Sequence, residues 1–256
     1  MAGSDRIVSR IAIAPVRGFS LEYVPAVELT EDGVVENRRF MLVDAEGNRL
    51  RSSLTSWPVV VSGRYDVDAE RLSMAFPDGT ECEGSALDLG DEVFPVVASN
   101  PVPSLVVEGP WTEPLSRLAG HPVRVARPER PGAAKDEPVT ILSQASVDRL
   151  SEVAGHPVDD RRFRMLFTVT GCSAHEEDEW NGRSARFGDA VVRVGGPVPR
   201  CAVTTRDPDT GERDLDTLRL IRSYRGVRDG DAIDFGVFGT VEEPGRVRLG
   251  DPVELL

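Results

Sequence analysis

Short apolar runs separated by tight turns set the strongest constraint on the fold of this chain. In the first ninety or so residues these runs recur at a spacing of roughly ten residues, which is typical of strands in an all-β barrel or sandwich. Turn sequences rich in Gly and Asp separate them, at residues 30–33 (TEDG), 46–48 (EGN) and 77–79 (PDG). Further strands are predicted at 163–170, 190–194, 202–205 and 247–249. We therefore predict a mostly β protein with a few helices.

The helices and the domain organisation follow from the remaining segments. Ser143 is a suitable N-cap for a helix over residues 143–154, and Gly155 is suited to end it. A short helix is predicted within 111–119 and an amphipathic one over 215–222. Residues 101–138 are rich in Pro and Gly, which suggests a junction. We predict an N-terminal β-barrel-like domain over 1–98, a connecting segment over 99–137 and a second β-barrel domain over 138–256.

Composition excludes several classes of function. The net charge of −13 argues against binding to nucleic acid or to an anionic membrane surface, because both need a basic face. No apolar run reaches the roughly 18 residues of a membrane span, and no long apolar segment near the N-terminus indicates a signal peptide. The three cysteines are far apart and odd in number, which does not suggest a disulfide framework. A reducing cytoplasm is the simplest expectation.

One cysteine stands out by its surroundings. Cys201 follows Arg200 directly, after a Gly-Gly-Pro approach and before the turn sequence Asp-Pro-Asp-Thr-Gly. A thiolate is a soft ligand that suits a soft or redox metal, and a neighbouring arginine favours the thiolate. The alternative is a small buried hydrophobic residue, because a single cysteine is no metal site by the usual ligand counts. The acidic run at 176–179 is interpreted as a solvated loop.

A set of motifs in a fixed order resembles a known family. The segment P-x-x-R-C followed by D-P-D-T-G-E is similar to the core motif of MOSC domains, the family of the molybdenum cofactor sulfurase C-terminal domain and of the mitochondrial amidoxime-reducing component. Further segments with matching order are 15–18 (PVRG), 33–40 (GVVENRRF), 141–146 (ILSQAS), 162–164 (RFR), 177–180 (EDEW) and 245–253 (GRVRLGDPV). The resemblance covers most of the chain and implies a MOSC β-barrel over 138–256, preceded by its N-terminal β-barrel domain.

The resemblance also implies a cofactor, a reaction and a set of site residues. Cys201 is the implied protein ligand to the molybdenum of a pterin-dithiolene cofactor (molybdopterin). The cofactor is anionic and the chain is acidic, so local guanidiniums must hold it. The candidates are Arg17, Arg38, Arg164 and Arg200. The implied reaction is reduction of N-oxygenated small-molecule substrates, with electrons from a separate donor protein because no iron–sulfur cysteine pattern is present.

Two other functions stay open, and four positions depart from the family pattern. The chain could instead be a non-enzymatic carrier of the cofactor or its sulfur, or a degenerate MOSC module kept for interactions. The departures replace hydrogen-bonding residues with Gly18, Leu166, Pro199 and Phe238. Fewer neutral hydrogen bonds would then hold a polar cofactor, so its binding is expected to depend on the arginines.

Overall fold

A computed structural model describes residues 6–51, 55–133 and 137–256 of the chain. Within these ranges the strands are β1 Ile7–Ile13, β2 Glu22–Tyr23, β3 Ala26–Thr30, β4 Gly33–Val34, β5 Met41–Val43, β6 Ser62–Asp66, β7 Arg71–Ala75, β8 Glu81–Ser85, β9 Leu89–Val93, β10 Val96–Val97, β11 Asn100–Pro101, β12 Ser104–Val107, β13 Arg124–Pro128, β14 Val139–Ser143, β15 Phe167–Thr170, β16 Ser184–Phe187, β17 Ala190–Pro199, β18 Asp234–Glu243, β19 Gly245–Arg248 and β20 Val253–Leu255. The α-helices are α1 Thr112–Ala119, α2 Gln144–Ala154 and α3 Thr217–Arg225. The mostly β prediction is confirmed.

The largest sheet combines strands from both ends of the chain. Its eight strands are ordered β2-β1-β15-β14-β18-β17-β16-β20, and the sheet curls as a half-barrel. Strand β1 pairs antiparallel with β15, while β3 pairs with β19, so early strands lie against late ones. Buried apolar side chains such as Ile11, Phe167 and Phe187 fill its core, and the last two rings stack at 5.4 Å between centroids.

A second group of strands forms smaller sheets around its own core. One sheet has the order β5-β13-β12-β9, and an antiparallel meander has the order β6-β7-β8. Trp111, Phe40 and Leu72 are buried in the core beside these sheets. Strands β12 and β13 lie within the segment expected to connect two domains, and both pair with strands from the first hundred residues. Residues 134–136 of that segment lie outside the described residues.

The helices largely follow the sequence prediction. Ser143 caps α2, because its side chain accepts a hydrogen bond from the backbone N–H of Ser146, and Gly155 ends the helix in the left-handed conformation. The helix predicted over 215–222 begins two residues later and extends to Arg225. Among the described residues, none of the helices has both the length and the apolar character that crossing a membrane requires.

One predicted strand is wrong in part and a second is wrong throughout. Residues 160–163 form a 3-10 turn, so the strand predicted over 163–170 begins only at Phe167. Residues 202–205 form a second 3-10 turn rather than a strand. The physical reason is local: the hydroxyl of Thr204 bonds the carbonyl oxygen of Cys201 at 3.1 Å, which folds the chain back after the cysteine. The β-branched composition of residues 202–205 does not by itself distinguish a strand from a 3-10 turn.

Candidate functional site

The residues that carry the resemblance lie around one cleft. Its volume is about 500 Å³, within the roughly 300–1,000 Å³ of ordinary small-molecule sites. The structure brings together all five predicted site residues in its lining: Arg17, Arg38, Arg164, Arg200 and Cys201. The cleft is therefore formed jointly by the beginning of the chain and by its second half.

Two adjacent segments bring Arg17 and Arg38 to the cleft. Val16 and Phe40 form a parallel bridge, and the Arg17 N–H donates to the Phe40 carbonyl at 2.8 Å. The Arg38 N–H donates to the Ala14 carbonyl at 2.8 Å, with Arg38 in the left-handed region at φ 54°. A non-glycine residue in this region is strained and needs support from its surroundings. The two segments fix each other, and with them the two arginines.

Arg164 connects the early segment to the second half of the chain. It follows the 3-10 turn at residues 160–163 and is left-handed, with φ 52°. Its Nη2 donates to the Phe19 carbonyl at 2.6 Å, and its own carbonyl accepts from Nη2 of Arg38 at 3.3 Å. Burial, together with the positive charge of Arg17, lowers the pKa of Arg164 to about 10. Arg164 stays protonated at neutral pH, so like charges face each other in this cleft.

Cys201 stands where a long strand ends at the cleft. Strand β17 pairs with β18, with register shifts between Val194 and Gly196 and between Pro197 and Pro199. Such irregularities bend a strand and redirect side chains near functional sites. A Cβ at Gly195 would lie 2.5 Å from the ring of Phe238, so a larger residue there would displace that ring. Cys201 is exposed, which contradicts the alternative of a small buried hydrophobic residue.

Arginine-carboxylate pairs anchor the loop that follows Cys201. Arg162 is buried and reaches both carboxylate oxygens of Asp214, at 2.7 and 2.5 Å. The hydrogen bond from Arg162 lowers the pKa of Asp214. Arg161 bonds Asp159 and Asp209 in the same way. These pairs tie the turn at 160–163 to the loop that contains Asp209 and Asp214.

Sequence reasoning missed several residues of the cleft. Its lining in the described part of the chain contains seven arginines but a single carboxylate, Glu137. The lining residues that the sequence analysis named neither as site candidates nor as departures are Arg49, Arg51, Glu137, Thr140, Arg162, Phe163, Met165, Val198, Val203 and Thr204. Arg162 and Phe163 belong to the motif segment 162–164, and Val198 belongs to the P-x-x-R-C segment, but no role was assigned to them. Arg49 and Arg51 flank a leucine in a segment with no motif, so no signal separates them from surface arginines. Their presence adds to the positive charge of the cleft.

Of the four departures from the family pattern, three line the cleft and one does not. Gly18, Pro199 and Phe238 are part of the wall. The Leu166 side chain is instead buried in the core of the large sheet, with 2 % of its surface exposed. Its backbone N–H donates to Oγ1 of Thr140, a cleft residue, at 2.9 Å. The expectation that Leu166 replaces an amide facing a cofactor is therefore wrong, because core packing decides this position.

The acidic run after His175 lies in the fold rather than in a solvated loop. Glu177 is fully buried, and its Oε1 accepts from the Ser146 hydroxyl at 2.7 Å and from the Ser143 N–H at 3.2 Å. Asp178 pairs with Arg225 at 2.6 Å, which joins this turn to α3. The interpretation as a solvated loop is wrong for Glu177, whose carboxylate supports the start of α2.

Comparison with known proteins assigns the family. The MOSC domain matches residues 117–254, which is more than half of the chain and includes Arg164, Arg200 and Cys201. The chain belongs to the MOSC domain family. This assignment agrees with the motif order and with the mostly β fold of this MOSC protein.

Individual relatives match over different lengths. This MOSC protein is 27% identical to mitochondrial amidoxime-reducing component 1 from Homo sapiens, over 97% of this chain and 82% of that protein. It is 38% identical to mitochondrial amidoxime reducing component 2 from Bos taurus over 45% of this chain and 36% of that protein. Among solved structures, the YUAD protein from Bacillus subtilis matches at a TM-score of 0.45 and 12% identity, covering 98% of this chain and 94% of that one.

The donor set of the cleft fits an anionic, metal-containing cofactor. Guanidiniums suit phosphate because their N–H groups match its oxygens in pairs, and an exposed thiol can provide one soft ligand to a metal. Arg17 and Arg164 repel each other, as the lowered pKa of Arg164 reflects, and an anion bound near them would relieve that repulsion. The residues present therefore fit the group that the family resemblance implies.

Proposed function

We propose that this MOSC protein binds the molybdenum cofactor, with Cys201 as the protein ligand to the metal, and reduces N-oxygenated small molecules. The observation that carries the proposal is the convergence of an exposed cysteine and an excess of arginines on one cleft. The similarity to amidoxime-reducing components along almost the whole chain supports the reaction class. The division into domains over 1–98, 99–137 and 138–256 stays a prediction.

Each group of cleft residues has a separate role in this proposal. Arg17, Arg38 and Arg164 hold the anionic part of the cofactor, because charge-assisted hydrogen bonds are roughly twice as strong as neutral ones. Cys201 provides the thiolate, and its position at the end of β17 fixes where the metal binds. Val198 and Phe238 form an apolar part of the cleft wall, which limits the access of water to the reacting groups.

The chemistry that a bound molybdenum cofactor supplies is two-electron reduction of an N–O bond. For an N-hydroxylated substrate, two electrons and two protons convert N–OH to N–H and release water. We propose that the electrons come from a separate donor protein. We also propose a cytoplasmic location, supported by three cysteines that remain free thiols, as a reducing compartment would keep them.

Metal analysis of cysteine variants tests the ligand assignment. Wild-type protein from a molybdenum-replete host is expected to carry molybdenum, and Cys201→Ala is expected to lose it while keeping its fold. Because Cys201 is exposed, its truncation costs little packing. Cys82→Ala and Cys172→Ala are the matched controls, since both thiols are half-buried outside the cleft lining and should leave the molybdenum content unchanged. Equal molybdenum in Cys201→Ala and wild type would remove the assignment.

Turnover separates the reductase from the two other functions. With a chemical reductant and an amidoxime, the loaded wild-type protein is expected to form the amidine, and Cys201→Ala is expected to form none. A carrier would hold molybdenum and release it to an acceptor protein without turnover. A degenerate interaction module would hold no molybdenum in any host. The metal content and the absorption spectrum of the isolated protein together distinguish these three outcomes.

A further inference from the structure

The main chain at Cys201 is fixed on both sides by its neighbours. On the N-terminal side, the Arg200 N–H donates to the Ile233 carbonyl at 2.7 Å, directly after β17 ends. On the C-terminal side, the Cys201 carbonyl accepts from the Thr204 N–H at 3.2 Å and from the Thr204 hydroxyl at 3.1 Å. The cysteine thus lies between two anchored residues.

The guanidinium of Arg200 bonds protein groups rather than presenting its donors to the cleft. Its Nε donates to the Phe235 carbonyl at 2.7 Å and its Nη1 to the Phe163 carbonyl at 3.0 Å. Its Nη2 donates to Sδ of Met165 at 2.8 Å and also to the Phe235 carbonyl. A guanidinium has five N–H donors, and these four hydrogen bonds leave one N–H for any ligand.

These contacts join Arg200 to two separate elements of the site. Phe235 belongs to β18, and Phe163 ends the 3-10 turn that precedes Arg164. The guanidinium also lies over the Phe163 ring, at 5.4 Å from its centroid. Because the fork of an arginine fixes several acceptors at defined angles, a lysine at this position cannot reproduce the set.

Thr204 provides the second anchor through a buried pair of hydroxyls. Its Oγ1 lies 2.7 Å from Oγ1 of Thr217, and both threonines are almost completely buried. When Thr204 donates to the Cys201 carbonyl, Thr217 donates to Thr204, so both hydroxyl protons are used. Thr217 is the first residue of α3, so this pair ties the turn after Cys201 to a helix.

We propose that Arg200 and Thr204 are positioning residues that fix the main chain on either side of Cys201 and so direct its thiol into the cleft. Arg200 then acts through Cys201 and is not a cofactor contact, in contrast to Arg17, Arg38 and Arg164. The role of this positioning, which is to present Cys201 to the metal, rests on the proposed function. The positioning itself is measurable without the metal.

Hydrogen exchange of the full-length, metal-free protein tests the anchoring. Arg200→Lys is expected to accelerate exchange at residues 200–204 by about ten-fold or more, because several hydrogen bonds to a charged group are lost together. Thr204→Val is expected to accelerate exchange in the same segment, because valine lacks the hydroxyl that bonds the Cys201 carbonyl. Thr204→Ser keeps that hydroxyl and is expected to show wild-type exchange. Arg127→Lys is the matched control, since Arg127 bonds Glu70 and the Ala86 carbonyl away from the cleft lining.

Molybdenum content of the folded variants tests the purpose of that anchoring. Arg200→Lys and Thr204→Val are expected to hold several-fold less molybdenum per folded protein. In the fraction of each variant that does hold molybdenum, kcat is expected to fall by a larger factor than KM rises. A purely structural role would lower the melting temperature and leave molybdenum per folded protein equal to wild type, which would overturn the proposal. Unchanged exchange at 200–204 in both variants would also overturn it. If wild-type protein holds no molybdenum, the proposed function fails, and the exchange data alone decide whether the anchoring exists.

Discussion

The imidazole of His175 is kept neutral by its surroundings, so protonating it should destabilise the fold. The ring packs against Tyr224 and Phe235, with centroids 5.6 and 5.7 Å away. Neither ring nitrogen has a hydrogen-bond partner among the described residues. Burial is the main cause that lowers the pKa of His175 to about 4; the positive charges of Arg225 and Arg149 add to it, and Asp178 opposes it.

The sign and the size of the effect follow from this shift. Between about pH 4 and 6.5 the unfolded chain binds a proton at His175 and the folded chain does not, so the free energy of unfolding falls as the pH is lowered through this window. The full shift corresponds to at most about 3 kcal/mol at about 1.36 kcal/mol per pH unit. Because the side chain is only half-buried, we expect about 1–2 kcal/mol after solvent screening.

Urea denaturation of wild type and His175→Asn between pH 4 and 7.5 measures this contribution. Asparagine tolerates the left-handed φ of 64° at this position and does not titrate in the window. At pH 7 the variant should be less stable by about 0.5–1.5 kcal/mol, because the ring contacts are lost. That deficit should shrink as the pH falls towards 4. The exposed His156 gives the control variant His156→Asn. A stability difference between wild type and His175→Asn that stays constant with pH would refute the reasoning.

Three further perturbations have defined outcomes. Leu166→Asn should lower the free energy of unfolding by about 3–5 kcal/mol, measured by urea denaturation, because it removes a buried side chain and leaves an amide without a partner in the core. Asp214→Asn should cost about 1–2 kcal/mol in the same assay, since it breaks the bidentate pair with buried Arg162 at a partly exposed site. Molybdenum should be lost from the isolated wild-type protein faster in about 1 M salt than in about 0.1 M salt, because salt screens the arginines that we propose to hold the anionic cofactor.

Secondary structure was predictable where a local physical rule acts alone. The cap at Ser143 and the left-handed Gly155 define α2 from sequence, because both depend on neighbouring residues only. The stretch over 101–138 was harder to interpret, since its prolines and glycines hide β12 and β13. Those strands exist because distant partners complete their hydrogen bonds. The turn at 202–205 shows the converse case, in which a threonine hydroxyl outweighs β-branched composition.

The candidate site was predictable only through the order of motifs along the chain. The neighbouring Arg200 and the flanking turns distinguish Cys201 from Cys82 and Cys172 in the sequence, but they do not establish a ligand site. In the structure, Cys201 is the exposed cysteine and the one that lines the arginine-rich cleft. The motif residues Arg17 and Arg38 reach that cleft through a bridge between two early segments, which no periodicity predicts. The sequence did not show that the Leu166 side chain is buried in the core rather than facing the cleft, because its burial depends on the packing of the whole sheet.

The wall residues suggest how this cleft differs from one built on neutral hydrogen bonds. The ring of Phe238 packs against Gly195 and has no group that can donate a hydrogen bond. Pro199 has no N–H to donate, and Gly18 has no side chain. Each of these positions presents a surface without side-chain donors, beside a cleft lined by seven arginines in the described part of the chain. Affinity for an anion in such a cleft must come mainly from charge, and charge-based binding weakens with salt more than neutral hydrogen bonding does.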